Sequence, residues 1–79
     1  MRILVVEDED KMAQVIKRIL SEHGYIVDLA HDGVSGQQHV SQVQYDLLII
    51  DVMLPREDGL TLCKKIRETD SSVPILILS

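Results

Sequence analysis

Four short apolar runs recur along this chain of 79 residues, and the stretches between them are each long enough for one helix. The runs are Arg2 to Val6, Tyr25 to Ala30, Asp46 to Asp51 with Leu47-Leu48-Ile49-Ile50 inside it, and Ile75 to Leu78 after Pro74. Strands that are apolar without alternation are covered on both faces, as in parallel sheets. Parallel strands in turn need crossover connections, usually helical and right-handed. The spacing therefore predicts an α/β domain: a doubly wound parallel sheet with helices on both faces.

The intervening stretches agree. Met12, Val15, Ile16, Ile19 and Leu20 recur at i, i+3, i+4, i+7 and i+8, one face of an amphipathic helix. Asp10 is its expected N-cap and Gly24 its stop. Asp32-Gly33 reads as a turn. Val34 to Gln42 is a weaker helix, with Gly36 lowering its propensity and a thin apolar face. Pro55 to Gly59 reads as a loop, and Gly59 to Thr69 as a third helix with Leu62, Cys63 and Ile66 inward. Asp70 to Val73 is a polar connection. One domain spans residues 1–79, with no internal repeat, low-complexity tract or linker.

In such a sheet, ligands bind outside the carboxyl ends of the strands, where strand order reverses. Glu7 and Asp8 follow the first strand, Asp51 closes the third, and Ser79 follows the fourth. Three carboxylates from two strands thus converge on one edge, where each makes the others costlier to ionise. A hard divalent cation with oxygen-only ligands, Mg2+ above all, resolves that repulsion. It also offsets the repulsion an incoming phosphoryl group would meet, and a carboxylate can itself become an aspartyl phosphate.

Composition narrows the field. Hydrophobic residues make up 46% of the chain, enough for a core, which argues against disorder. A domain this small buries a modest share of its surface, so marginal stability is expected. With 8 Lys and Arg against 13 Asp and Glu, the net charge of −5 argues against nucleic-acid binding by this segment. A lone cysteine, Cys63, allows no internal disulfide and fits a reducing cytoplasm. The run Ile3 to Val6 is too short for a signal peptide or a membrane span. A cytoplasmic protein without membrane contact is expected.

Four ordered motifs together resemble the receiver domain of two-component response regulators. They are Val5-Val6-Glu7-Asp8-Glu9, Leu48-Ile49-Ile50-Asp51-Val52-Met53-Leu54-Pro55, Asp58-Gly59, and Val73-Pro74-Ile75-Leu76-Ile77-Leu78-Ser79. The wording is most similar to the subfamily with a C-terminal winged-helix DNA-binding domain. The resemblance implies a flavodoxin-like fold of strand order 2-1-3-4-5 and a phosphoacceptor Asp51 served by a sensor histidine kinase. It implies Mg2+ held directly by Asp8 and Asp51, by Glu7 mainly through water, and by the backbone carbonyl of Met53. Ser79 would be the switch hydroxyl. By the same comparison, residues 1–79 reach only the fourth strand. The fourth helix, the fifth strand with its lysine and aromatic switch residue, and the fifth helix lie beyond them. An uncovered fourth strand would invite a homodimer, and DNA would be contacted only through the C-terminal domain.

Simpler explanations stand beside these. Glu7 to Asp10 suit a helix start on electrostatic grounds alone, and Asp51 or Ser79 could be ordinary strand-end residues. Cys63 fits a small core hydrophobe; His23, His31 and His39 lack metal-ligand spacing; Lys64, Lys65 and Arg67 fit a solvated helix face. Among rival functions, an aspartyl-phosphate phosphatase would need a proton donor two residues past Asp51, where Met53 stands. A dinucleotide-binding domain would need a Gly-rich turn where Glu7-Asp8-Glu9-Asp10 stands. A receiver-like interaction module that is never phosphorylated would have no use for the acidic set.

Overall fold

A computed structural model describes residues 1–79. Its elements run β1 (Arg2–Val6), α1 (Asp10–Glu22), β2 (Ile26–Ala30), α2 (Gly33–Gln42), β3 (Leu47–Asp51), α3 (Gly59–Thr69) and β4 (Ile75–Leu78). All strand pairs are parallel, in the order β2-β1-β3-β4. The chain leaves β1 to one side and returns to place β3 on the other, so order reverses between β1 and β3. The doubly wound arrangement expected from the apolar runs is therefore present.

β1 and β3 are the central strands. Leu4, Val6, Leu48 and Ile50 face α2 and α3, and with Leu62, Ile66, Leu54 and Tyr45 they form the larger core. Ile3, Val5, Val27 and Ile49 face the other way, where Ile16 and Leu20 of α1 pack on them. Gly36 has a structural reason: a Cβ there would lie 3.2 Å from Val6 Cγ2, so its absence lets α2 settle on the sheet.

The apolar face of α1 is less buried than its spacing implies. Ala13 is its buried residue, while Met12, Val15 and Ile19 are 40–48% exposed. The reason is tertiary: α1 lies mainly over β1 and β2, toward one side of the sheet, so its outer flank has no neighbour. Its N-cap is Glu9 rather than Asp10; the Glu9 carboxylate accepts from the Met12 N–H at 2.7 Å. Gly24 lies just past the end at φ 88°, the left-handed stop expected of it. β4 has one neighbour, β3, and Leu76 is half exposed.

Sequence patterning gave no hint of a polar network across the amino edge of the sheet. Tyr45 donates to Asp28 Oδ2 at 2.7 Å, and Arg2 reaches the same oxygen at 3.0 Å. Burial works against the charged Asp28, but these two partners outweigh it and hold its carboxyl below the usual range. Burial and the same contact push the Tyr45 hydroxyl up. A hydrogen bond of this kind contributes about 1–2 kcal/mol net.

Candidate functional site

The carboxyl ends of β1 and β3 deliver the acidic residues to one place. Glu7 continues β1 by one residue, its N–H donating to the Ala30 carbonyl at 2.9 Å. Asp51 ends β3, in register with Leu78 of β4, and the Val52 N–H donates to the Leu78 carbonyl at 2.9 Å. Carboxylate oxygens of Glu7, Asp8 and Asp51 all lie within 4.8 Å of one another. Glu7 is buried, Asp51 half-buried and Asp8 exposed. The Met53 N–H donates to Asp51 Oδ1 at 3.0 Å, which sets the Met53 backbone beside the acceptor carboxylate while its side chain projects outward. Ser79 follows β4 at the same edge and is exposed.

Electrostatics divides the three acids. Burial, a side-chain hydrogen bond with Asp51 and the Asp51 charge together raise the Glu7 carboxyl from 4.5 to about 7. A hydrogen bond between two carboxyls needs a proton on one of them, so without a cation the cluster tends to keep one proton. Three oxygen-donor acids gathered at one edge fit a hard divalent ion.

The raised value has a consequence for stability. Both folded and unfolded chains carry protonated Glu7 below about pH 4.5. As pH rises from there through 7, the unfolded chain releases the proton first, so folding stability is lost across that window. In metal-free buffer, Glu7→Gln keeps a donor toward Asp51 and removes the charge. It should stabilise the protein by about 2 kcal/mol at pH 8 and by almost nothing at pH 4. Melting curves across that range check this; an equal gain at both ends would show that Glu7 is not the titrating group.

The sequence singled out Glu7, Asp8 and Asp51, and the fold brings them together. It named Gly59, the first residue of α3, only as part of a motif and as a helix start. A Cβ there would sit 2.3 Å from the Asp51 carbonyl oxygen and 2.8 Å from Val52 Cα, and the Gly59 N–H donates to the Val52 carbonyl at 2.8 Å. Asp58 caps the same helix, accepting from the Thr61 N–H at 2.8 Å. The Asp58-Gly59 pair was visible as a motif, but not that α3 rests directly on the Asp51 backbone. The histidines stay outside the cluster: His23 and His39 contact carbonyls one turn back, and His31 meets Asp10 at 3.2 Å. Cys63 is a half-buried free thiol.

Fold and site together define a flavodoxin-like α/β domain with an acidic pocket at the switch point of its sheet. Comparison with known proteins gives the family. Residues 3–79 match the response regulator receiver domain, and the chain belongs to that family. It is 46% identical over 79 residues to the response regulator MprA of Mycobacterium avium, and 44% to the transcriptional regulatory protein DltR of Streptococcus agalactiae. All of this chain is covered in both matches, but only 35% of either relative. The receiver domain of the Francisella response regulator 1452 superposes with a TM-score of 0.93 at 36% identity, covering 99% of this chain and 64% of that one. TrrA of Thermotoga maritima, solved in complex with Mg(2+)-BeF, superposes with a TM-score of 0.93 at 34% identity, covering 96% and 66%. No helix is long and apolar enough to cross a membrane.

Proposed function

We propose that Asp51 accepts a phosphoryl group from a phosphohistidine of a sensor histidine kinase, making this chain the input half of a two-component switch. The observation that carries the proposal is the convergence of Glu7, Asp8 and Asp51 within 4.8 Å at the switch point, in a chain of the receiver family. An Asp51 carboxylate oxygen attacks phosphorus, the bond to the imidazole nitrogen breaks, and the nitrogen keeps the electron pair. The Met53 N–H holds Asp51 Oδ1 during approach. Met53 supplies no acid or base, so the acyl phosphate persists as a signal, and the chain acts as a switch and not as an enzyme. Ser79, at the same edge, serves as the switch hydroxyl.

Asp8 and Asp51 would hold Mg2+ directly, with Glu7 mainly through water and the Met53 carbonyl as a further ligand. When bound, the ion supplies the positive charge that offsets repulsion between the acidic pocket and an incoming phosphoryl group. A Mg2+ titration followed by amide chemical shifts should move the resonances around Asp8, Asp51 and Met53. Asp51→Asn should weaken that binding about tenfold or more. Unchanged affinity would remove Asp51 from the ligand set.

DltR's name, a transcriptional regulatory protein, supports an output in transcription; on this reading the output passes through a DNA-binding domain outside the residues described, in a protein of the cytoplasm. The acidic net charge supports a segment that does not itself touch DNA.

A further inference from the structure

The loop from Asp51 to α3 contains the molecule's one non-glycine residue at positive φ, Arg56 at 68°. The Glu57 N–H donates to the Pro55 carbonyl at 2.8 Å, which closes a γ-turn around Arg56. Left-handed backbone at a residue with a Cβ persists only where its surroundings impose it. Arg56 is itself exposed, so its neighbours must do so. Leu54 anchors the loop in the larger core on one side of the turn. On the other side stands Glu57. One of its carboxylate oxygens pairs with Lys65 of α3. The second, Oε1, is shut away from solvent with no hydrogen-bond partner. It lies against the first residue of α2: a Cβ on Gly33 would be 2.9 Å from Oε1. A bare Gly33 admits the carboxylate, and the first turn of a helix is where negative charge is best tolerated.

We infer that Glu57 is a positioning residue whose carboxylate, held between Lys65 and Gly33, fixes the loop that sets the Met53 backbone beside Asp51. The inference rests on the reading of the Asp51 pocket as a metal-binding phosphoacceptor site, although Glu57 touches none of its groups. The loop has little slack to absorb a shift at Glu57. It is tied at its start by the Met53 N–H on Asp51 Oδ1 and at its end by the Gly59 N–H on the Val52 carbonyl. Lys65, which as sequence reads as part of a solvated face, is thereby the outer jaw of the clamp.

The test uses the protein carrying this domain, with Lys65→Met to open one jaw and Gly33→Ala to push on the other. Tyr45→Phe, at the opposite edge of the sheet, is the control for general loss of stability. Both clamp variants should displace the Met53 amide resonance without metal, and then weaken Mg2+ binding about tenfold. Tyr45→Phe should lower the melting temperature and leave the Met53 resonance and the affinity unmoved. The inference is overturned if the clamp variants leave the Met53 resonance at its wild-type position, or if Tyr45→Phe moves it equally. Failure of the wild type to bind Mg2+ would instead refute the site reading, while the metal-free Met53 resonance still decides the clamp.

Discussion

Asp51→Asn should abolish phosphoryl labelling. With a small acyl-phosphate donor and Mg2+, incorporation into the wild-type protein should give an alkali-labile, hydroxylamine-sensitive adduct. The variant should fall by more than about a thousandfold, because removing a nucleophile removes the covalent path itself. The two neighbouring acids are poor substitutes for physical reasons visible in the structure. Glu7 is buried, so its oxygens are poorly reached by an incoming donor. Asp8 is exposed but lies beyond the strand end, whereas Asp51 belongs to β3 and has one oxygen engaged by the Met53 N–H at 3.0 Å. Intact-mass measurement of both proteins decides the matter. Labelling of Asp51→Asn at the wild-type rate would move the acceptor role to another residue.

The largest stability loss is expected at Gly59→Ala. An added Cβ would meet backbone atoms of Asp51 and Val52 at 2.3–2.9 Å, and backbone cannot rotate aside as a side chain can. α3 must therefore lift from the sheet, breaking the Gly59 to Val52 hydrogen bond and loosening Leu62 and Ile66, both essentially fully buried. We expect a loss of about 3 kcal/mol or more, enough to unfold much of a marginal domain. Gly36→Ala should cost less, since its Cβ would meet the Val6 side chain at 3.2 Å and a side chain can shift. Denaturant titration of both variants gives the order. A Gly59→Ala protein as stable as wild type would mean that α3 is not seated on the Asp51 backbone.

Gly59 also marks the boundary between what is local and what is not. The sequence by itself determined the strands, their parallel arrangement and the acidic edge. Each strand is an apolar run flanked by polar residues, and Glu7, Asp8 and Asp51 sit immediately past such runs, where chain direction alone assigns them to one edge of a parallel sheet. It also determined that Leu62 and Ile66 face inward, since helical period follows from spacing. Tertiary structure decided everything that depends on which two distant segments touch. It made Glu7, not Asp8, the buried acid, through the pairing of β1 with β2 and β3. It left Met12, Val15 and Ile19 of α1 exposed, because an amphipathic pattern specifies a face but not how wide a partner covers it. It joined Tyr45, Asp28 and Arg2 across the amino edge, and Glu57 to Gly33 and Lys65 behind the acceptor loop. Those residues carry no periodic signal, because a hydrogen bond or a close backbone approach is set by distances in space to which spacing along the chain is blind.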